Sequence, residues 1–362
     1  MATATETVAL SPYHHVPETK FDLDWADLAT LDLSAFNEPG GKARLAKQLH
    51  DAIQNVGFFY ITNFGLTQHQ IDRQFAFGKS FFDSSFDEKI KHRADLEHGN
   101  NFGYTPLGIR EISPGAFNNW EVLNLPKFTP AYEKDRPQPE VIAAHRAEVE
   151  HFARHIHDQI VKKLLILCAF MLELPEDHFL RSHRYEERSN CHLRYMKYHA
   201  ASSAESSELK ETWFKGHTDF GSLTLVFRQP VAGLQVLSRG GSWKWVKSMP
   251  GSITVNIGDT LELVTKGFLP SSVHRVVSPP ADQRDVDRLC LMYFVRPEDE
   301  MELKSVESPI IEKSGLQAQP GLDAGFTAAE WVKARVLSGR GKVQSEQKQE
   351  EVLPGMQIKY YT

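Results

Sequence analysis

The stretch HTDFGSLTLVF, residues 217–227, ends in a short run of β-branched and aromatic residues, SLTLVF. Runs of this kind recur from about residue 189 onward, and Gly, Pro, Ser or Asp separates each from the next. Several short strands at such regular spacing are typical of a β-sandwich or a jelly-roll barrel. The runs are CHLRYMKYH, SLTLVFR, GLQVL, WKWVK, SITVNI, SSVHRVVS and DRLCLMYFVRP.

The chain before this region has mainly helical patterns. Apolar residues recur at helical spacing over residues 43–56 and again over about residues 68–82. Between those helices the aromatic stretch GFFYITNFG, residues 57–65, predicts a strand. Residues 139–174 carry the longest helical pattern, whereas Gly, Pro and Asn throughout residues 96–136 predict long loops. The sequence thus indicates a helical N-terminal half on a β core.

Composition and charge bound the class of protein. The 362 residues include 41 basic and 47 acidic ones, a net charge of -6, so nothing suggests a nucleic-acid surface. Cys168, Cys191 and Cys290 form no C-x-x-C pair, and their odd number fits a reducing compartment better than a disulfide framework. The N-terminus lacks a secretory signal pattern, and the most apolar run, residues 164–174, is too short to span a bilayer. We expect a cytoplasmic protein with no nucleic-acid or membrane partner.

The first candidate for chemistry is the H-x-D pair at the start of residues 217–227. In an extended segment, positions i and i+2 point to the same face, so His217 and Asp219 can offer a nitrogen and a carboxylate oxygen to one metal ion. The side chain of Thr218, between them, then points to the opposite face of the segment. An isolated H-x-D is more often a surface turn, so this pair needs a further ligand nearby.

His274 is the candidate for that third ligand. It lies 55 residues after Asp219 in a predicted strand, and in a barrel a late strand can return beside an early one. Two imidazoles and one carboxylate on one face of a metal leave three positions open, which is the arrangement of non-haem Fe(II) sites that handle oxygen. Taken alone, a histidine such as His274 is more often a buried residue whose hydrogen bonds are satisfied in the core.

Arg288 stands fourteen residues after His274 in the otherwise apolar run DRLCLMYFVRP. A buried arginine needs a partner, because an unpaired buried charge is costly. Its planar guanidinium suits bidentate binding of a carboxylate, and a short dicarboxylate chelating the iron could extend to it. The alternative is an internal salt bridge with Asp285 or Asp287.

Taken together, these motifs resemble those of the Fe(II)- and 2-oxoglutarate-dependent dioxygenases of the isopenicillin N synthase-like superfamily. The resemblance covers about residues 21–336 and rests on GFFYITNFGL, FFDSSFDEKIK, HTDFGSLTLVF, NIGDTLELVTKGFLPSSVHRVV and DRLCLMYFVRP in the family's order. It implies that His217, Asp219 and His274 ligate Fe(II). It also implies that Arg288 and Tyr198 bind the distal carboxylate of 2-oxoglutarate, with O2 as the other co-substrate.

Three positions depart from the family's usual pattern. The usual R-x-S is here Arg288-Leu289-Cys290, which puts a weakly donating thiol in place of a hydroxyl beside the co-substrate. Met196 stands where many members have Asn near the metal, and His199 replaces a common proline. The three candidate metal ligands are all retained.

The resemblance sharpens the expected fold to α+β, with a double-stranded β-helix (jelly-roll) core and a helical N-terminal region packed on it. We expect a flexible leader over residues 1–20 and a mainly helical region over residues 21–188. The catalytic jelly roll is expected over residues 189–300. Residues 301–362 are expected to form a C-terminal helix, near residues 326–336, and a flexible tail.

The implied activity is oxidative decarboxylation of 2-oxoglutarate coupled to hydroxylation or desaturation of a small organic metabolite, as in secondary metabolism. Tyr104, Trp120 and Phe220 are the candidate substrate contacts, although each could equally be a core residue. The sequence leaves the substrate and the oligomeric state open.

Three other functions remain open from the sequence. The chain could be an Fe(II) oxidase of the same fold that does not use 2-oxoglutarate, although Arg288 argues against this. A zinc hydrolase would also accept two histidines and a carboxylate, but H-E-x-x-H is absent from the sequence. The third is a catalytically silent barrel that binds a small molecule.

Overall fold

The computed structural model contains both helices and sheets. It describes residues 10–109, 111–113, 116–133, 139–200, 212–338 and 348–360. The α-helices within those ranges are α1 Gly41–Asn55, α2 Gln68–Phe82, α3 Phe86–Ile90, α4 Glu140–Ala144, α5 Arg146–His155, α6 Lys162–Met171, α7 Asp259–Val264, α8 Pro309–Ser314 and α9 Ala328–Ser338. Short 3-10 helices cover Leu33–Asn37, Leu96–His98, Pro130–Tyr132, Leu180–Ser182 and Ala281–Gln283.

The strands form one large sheet, one smaller sheet and two hairpins. They are β1 Thr30–Asp32, β2 Phe58–Thr62, β3 Gly103–Thr105, β4 Glu111–Ser113, β5 Ala116–Phe117, β6 Trp120–Pro126, β7 His192–Tyr198, β8 Thr212–His217, β9 Leu223–Phe227, β10 Leu234–Leu237, β11 Trp243–Trp245, β12 Ile253–Ile257, β13 His274–Val277, β14 Arg288–Val295, β15 Lys348–Leu353 and β16 Met356–Tyr360. The eight-stranded sheet has the order β1-β2-β12-β9-β14-β7-β6-β3, and the four-stranded sheet has the order β11-β10-β13-β8. All seven strands predicted from the C-terminal half are confirmed.

Side chains alternate across the larger sheet, and its two faces have different neighbours. Leu291 and Tyr293 of β14 belong to the main apolar core, together with side chains of α1, α2, α5 and α6. Cys290, which directly precedes Leu291 in sequence, lies in a smaller cluster with Met196 of β7 and Trp213 of β8. Since β8 belongs to the four-stranded sheet, this second face lies toward the smaller sheet.

The first two predicted helices and the strand between them are confirmed. Helix α2 begins with a capping box, in which Thr67 and Gln70 each bond the other's backbone N–H. After α1 the chain turns at Gly57, whose φ is +82°. A Cβ there would lie 1.6 Å from Ser272 Oγ, so the glycine allows the segment before β13 to lie against the end of α1.

The prediction of long loops over residues 96–136 was wrong. Strand β6 lies within that range, all of its residues are buried, and it pairs with β7 from Trp120 opposite Tyr198 to Pro126 opposite His192. Pairing with a strand some seventy positions away fixes this segment, and such long-range pairing leaves little trace in local composition. Because β1, β2, β3 and β6 all join the large sheet, the expected division at residue 188 does not separate helices from strands.

The prediction of one helix over residues 139–174 was also wrong in detail. His145 leaves the helical region at φ -117° and ψ 23°, and separates α4 from α5. A π-helical turn, Ile156–Val161, then lies between α5 and α6. The turn buries His157, whose ring nitrogens contact the Tyr293 hydroxyl at 3.1 Å and the His183 carbonyl at 2.7 Å. An inserted residue of this kind shifts the buried face of a helix.

Described residues near both ends of the chain contact the body of the protein. We expected residues 1–20 to be a flexible leader, but within the described part of it Tyr13 stacks on Phe75 with ring centroids 5.1 Å apart. The Thr19 hydroxyl donates to Asp282 at 2.8 Å. Helix α9 confirms the predicted C-terminal helix, and the tail expected to be flexible contains the β15–β16 hairpin, with Met356 fully buried. Residues 1–9, 339–347 and 361–362 of these two predictions lie outside the described residues.

No helix in the described ranges combines the length and the apolarity that a membrane crossing requires.

Glu121 on β6 is the centre of a buried polar cluster. Its carboxylate, in a residue only 2% exposed, accepts hydrogen bonds from Lys89 Nζ at 2.8 Å and the Tyr104 hydroxyl at 2.6 Å. His199 Nε2 lies 3.0 Å from the other carboxylate oxygen. Burial alone would raise the pKa of Glu121, but the bonds from His199, Lys89 and Tyr104 outweigh it and hold the pKa at about 2.

We expect Glu121→Gln to lower the free energy of unfolding by about 3 kcal/mol at pH 7, because Lys89 would stay buried without its counter-charge. The folded pKa lies below the ordinary value of 4.5, so this stability is present above pH 4.5 and is lost as pH falls toward 2. Urea unfolding of both proteins at several pH values measures the difference. The control is Glu176→Gln in an exposed pair with Lys42, which should cost about 0.5 kcal/mol or less. A difference for Glu121→Gln that does not change with pH would contradict the assignment.

Candidate metal centre

The structure brings His217, Asp219 and His274 together between the two sheets. His217 ends β8, His274 begins β13, and the two residues are direct partners in the antiparallel pairing of those strands. Nε2 of His217 lies 3.9 Å from one Asp219 carboxylate oxygen, and Nε2 of His274 lies 3.8 Å from the other. One ligand atom from each of the three residues lies within 4.8 Å of the other two, a spacing at which one metal ion can bind all three.

Hydrogen bonds fix which atoms of the triad face one another. Each histidine places Nδ1 next to the backbone carbonyl two residues before it, at 2.8 Å for His217 and 3.0 Å for His274. A carbonyl only accepts, so Nδ1 carries the proton and the Nε2 lone pairs are left for a metal. Asn256 donates its side-chain N–H to Asp219 at 2.9 Å and orients the carboxylate.

The surroundings keep His217 and Asp219 in the protonation states that metal binding requires. Burial lowers the pKa of His217, and the neighbouring His274 lowers it further. Burial acts in the opposite direction on Asp219, but the two histidines and the hydrogen bond from Asn256 hold its pKa well below the usual range. At neutral pH, His217 is therefore neutral and Asp219 is ionised, as ligands of a divalent metal must be.

Helix α9 and the start of α7 hold the turn that contains Asp219. The Trp331 indole N–H donates to the Phe220 carbonyl at 2.9 Å, and the Arg335 guanidinium donates to the Thr218 carbonyl at 3.2 Å. The backbone N–H of Asp259 donates to the Asp219 carbonyl at 2.7 Å. The carbonyls on both sides of Asp219, and its own carbonyl, are thus bound by other elements.

A cavity extends from the triad between the two sheets. Most of the side chains that line the cavity are apolar, whereas the lining residues Arg194 and Arg288 are cationic. The lining residues are Phe58, Arg194, Met196, Tyr198, Phe214, His217, Asp219, Thr224, Val226, Leu234, Asn256, His274, Val276, Arg288, Cys290, Met292 and Phe294.

Arg288 is buried in this cavity and has no acidic partner among the described residues. Its Nε donates to the Val231 carbonyl at 3.1 Å, and its Nη1 donates to the Cys290 sulfur at 2.8 Å. Asp287 instead pairs with Lys197 at 2.9 Å, and Asp285 is exposed and forms no ion pair within the described residues. The salt-bridge alternative for Arg288 was therefore wrong, and this donor set fits an anionic ligand.

Tyr198 and Cys290 lie beside Arg288, as the sequence suggested. Tyr198 is the direct pairing partner of Arg288 across β7 and β14, and the guanidinium carbon lies 5.4 Å from its ring centroid. Burial raises the pKa of Tyr198 further above its ordinary value, so the phenol stays protonated and can donate. Burial also raises the pKa of Cys290, although Arg288 opposes the shift, so the sulfur keeps its hydrogen.

The three predicted substrate contacts lie outside the set of lining residues. Tyr104 pairs with Leu123 and lies in the main core on the helix-covered face of the sheet, so its prediction as a substrate contact was wrong. Trp120 is on the cavity side and its ring lies 5.8 Å from that of Phe214, which lines the cavity. Phe220 packs near the guanidinium groups of two other residues, Arg296 at 4.0 Å and Arg335 at 5.3 Å from its ring centroid.

Sequence reasoning missed Arg194, Phe214, Phe294 and Asn256. Arg194 is four positions before Tyr198 on β7, so period-two alternation from the proposed co-substrate tyrosine could have placed it on the same face. Its guanidinium lies 4.3 Å from the Phe294 ring centroid. The sequence around Phe214, Phe294 and Asn256 carries no signal that marks them as site residues, because the pairing of distant strands brings them to the cavity.

Two spans of the chain match known protein families. Residues 188–297 match the 2OG-Fe(II) oxygenase superfamily. Residues 28–145 match the family described as non-haem dioxygenase in morphine synthesis N-terminal. The first span contains all three residues of the triad and Arg288.

Relatives and a solved structure cover most of the chain. A UPF0676 protein of Schizosaccharomyces pombe is 32% identical over 303 residues, which are 81% of this chain and 87% of the relative. The 2-oxoglutarate-dependent dioxygenase frbH of Dothideomycetidae sp. is 30% identical over 297 residues, 78% of this chain and 86% of the relative. A crystal structure of a 2OG-Fe(II) oxygenase family protein from Caulobacter crescentus superposes with a TM-score of 0.70 at 26% identity, covering 85% of this chain and 98% of that one.

The lack of an acidic partner for Arg288 among the described residues predicts an unusual effect on stability. Arg335 is also buried, but it is paired with Asp259. We expect Arg335→Met to lower the free energy of unfolding by about 3–5 kcal/mol, because it leaves a buried acid unpaired. Arg288→Met should cost less than about 1 kcal/mol, because an apolar side chain replaces a charge without an acidic partner. Urea unfolding of the ligand-free proteins measures both, and equal losses would contradict the account of Arg288.

Proposed function

The chain belongs to the 2OG-Fe(II) oxygenase superfamily, and from that premise we propose that it holds Fe(II) through His217, Asp219 and His274. It is a 2-oxoglutarate-dependent dioxygenase, an oxidoreductase that uses Fe(II), 2-oxoglutarate and O2. The observation that carries the ligand assignment is the convergence of two Nε2 atoms and one carboxylate oxygen within 4.8 Å. Two histidines and one carboxylate leave three coordination positions for the co-substrates.

We propose that the two facing sheets form a double-stranded β-helix, or jelly roll, with the helical N-terminal region packed on it. The alternation along β14, with one face toward the helices and the other toward the smaller sheet, supports this arrangement. The iron site would then lie inside the barrel.

The distal carboxylate of 2-oxoglutarate is assigned to Arg288, with Tyr198 and Cys290 beside it. A buried guanidinium that lines the same cavity as the triad and has no acidic partner in the described part of the chain supports this role. A protein of this fold that did not take 2-oxoglutarate would leave that charge without an anion, which argues against the oxidase alternative.

Iron, when bound, supplies the redox chemistry that couples oxidative decarboxylation of 2-oxoglutarate to oxidation of the substrate. The chain's own residues do the positioning. The carbonyls behind His217 and His274 hold both rings through Nδ1, which would leave Nε2 free for a bound metal, and Asn256 holds the Asp219 carboxylate. The apolar walls of the cavity limit the access of water to the reacting groups.

The proposed substrate is a small organic metabolite, and hydroxylation or desaturation is the proposed outcome. Phe214 and Phe294 offer apolar contact area next to the triad, and Arg194 offers a fixed polar group. Phe214, Phe294 and Arg194 are therefore the first residues to test as substrate contacts, in place of Tyr104. Trp120, whose ring packs near that of Phe214, is the next to test. Phe220 remains a candidate substrate contact only because it is next to Asp219 in the sequence.

We assign the protein to the cytoplasm and to secondary metabolism, with a small-molecule substrate and no nucleic-acid or membrane partner. The three cysteines are buried free thiols, which suits a reducing compartment. Anaerobic titration with Fe(II) and 2-oxoglutarate, followed by a metabolite screen scored by succinate release, tests the whole function.

His217→Ala or His274→Ala should abolish stoichiometric Fe(II) binding and leave the fold largely intact, because each removes one of three metal ligands. Equilibrium dialysis under anaerobic conditions measures the bound iron, and circular dichroism follows the fold. His151→Ala, on the exposed face of α5, is the matched control and should keep full occupancy. Full iron occupancy and turnover in either ligand variant would rule out the proposed site.

Arg288→Gln should raise the 2-oxoglutarate KM by about ten- to a hundredfold while Fe(II) binding persists. The loss of a charged hydrogen-bond partner typically costs about 1.5–3 kcal/mol, and each 1.4 kcal/mol is about tenfold. Cys290→Ser, which restores a hydroxyl donor, should leave the affinity equal or improved. Turnover that stays equally dependent on 2-oxoglutarate in Arg288→Gln would show that another residue binds the co-substrate.

A further inference from the structure

We propose that Gln229 is a further co-substrate-binding residue, whose side-chain amide donates to the same distal carboxylate of 2-oxoglutarate that Arg288 binds. The inference rests on the proposed function. It adds a residue that the family resemblance did not suggest, and it explains how the site can work with cysteine in place of the usual serine.

Gln229 lies in the segment that wraps around the Arg288 side chain. It comes two positions after the end of β9, and the next residues approach the guanidinium closely. The Val231 carbonyl accepts from Arg288 Nε at 3.1 Å. At Gly233 an added Cβ would lie 3.4 Å from Arg288 Cδ and 3.2 Å from the Val277 carbonyl, so a small residue is needed there. Gln229 and Arg288 line the same pocket, which adjoins the triad's cavity at Arg288, although Gln229 is not among the residues that line that cavity.

A chain of hydrogen bonds sets the orientation of the Gln229 amide. Arg288 Nη1 donates to the Cys290 sulfur at 2.8 Å, so the sulfur is already an acceptor on that side. The thiol has one hydrogen, and it donates this to Gln229 Oε1 at 3.1 Å. The amide oxygen is thus occupied by the thiol, and the amide nitrogen is left to point elsewhere.

That nitrogen, Nε2 of Gln229, is buried and has no hydrogen-bond partner among the described residues. Buried amide donors are nearly always bonded, so an unpaired one calls for a partner. Arg288, joined to the same thiol, lacks an acidic partner in the described part of the chain. One carboxylate could meet both needs, because its two oxygens together accept several hydrogen bonds.

Cys290 explains why the donor should come from Gln229. Serine at this position could donate its hydroxyl to the co-substrate, whereas the Cys290 thiol is a weak donor and its hydrogen is directed to Gln229. The glutamine accepts from the thiol through Oε1 and can donate to the ligand through Nε2. The thiol and the amide together would replace one hydroxyl.

The test is anaerobic titration of the Fe(II)-loaded protein with 2-oxoglutarate, followed by the absorbance band that the bound 2-oxo acid produces. Gln229→Met should raise the 2-oxoglutarate Kd about tenfold, because one hydrogen bond to a charged group is lost. Gln229→Glu, nearly identical in shape, should raise it further, because like charges would face each other. The same titration with pyruvate, a 2-oxo acid without the distal carboxylate, should give an unchanged Kd in both variants.

A matched control and a second background separate binding from packing. Gln235→Met alters another buried glutamine, which bonds Arg275 outside this pocket, and should leave both Kd values unchanged. In a Cys290→Ser background, the effect of Gln229→Met on the 2-oxoglutarate Kd should fall below about threefold, because the hydroxyl takes over the donor's role. Thermal unfolding confirms that each variant is folded.

The outcomes are distinguishable. If the wild-type protein does not bind 2-oxoglutarate, the proposed function fails. If it binds 2-oxoglutarate through Arg288 and neither Gln229 variant changes the Kd, the inference about Gln229 is wrong. If Gln229→Met weakens pyruvate and 2-oxoglutarate equally, Gln229 acts on the pocket as a whole and does not bind the distal carboxylate.

Discussion

The pairing of β8 with β13 sets His274 directly opposite His217, and the rest of the site depends on this register. A slip of one residue would turn one of the two imidazoles to the opposite face of the sheet. Asp219 follows the end of β8 and lies outside the strands of the described ranges. Helix α9, through Trp331 and Arg335, therefore binds the carbonyls on either side of it. A C-terminal helix distant in sequence thus determines where the carboxylate of the proposed metal ligand lies.

Two buried arginines near the site show how a charge can serve structure or ligand binding. Arg335 is paired with Asp259 at the start of α7, so its charge is balanced inside the protein and stabilises the turn before β9. Arg288 has a carbonyl, a thiol and an aromatic ring around it but no acid among the described residues. A carbonyl and a thiol satisfy hydrogen bonds without cancelling the charge. The second arrangement costs stability and leaves the cation available to a ligand's carboxylate.

The residues that could be predicted from the sequence are those with a local signal. His217 and Asp219 share a two-residue spacing, and Arg288 is a charge inside an apolar run. Tyr104 and β6 could not be placed, because the face that a residue takes depends on a partner strand about seventy positions away. The break at His145 and the π-helical turn also leave no pattern, since one inserted residue shifts a helical period without changing its composition.

Gln229 shows why the individual contacts of a ligand site are harder to predict from the sequence than its motifs. The R-x-C sequence records only that a hydroxyl is missing beside Arg288, and no local rule connects position 290 with a residue sixty positions earlier. The structure makes that connection through the thiol hydrogen, which is donated to the Gln229 amide oxygen and leaves the amide nitrogen without a partner in the described part of the chain. A substitution that weakens one donor is therefore understood only together with the neighbours whose hydrogen bonds it redirects.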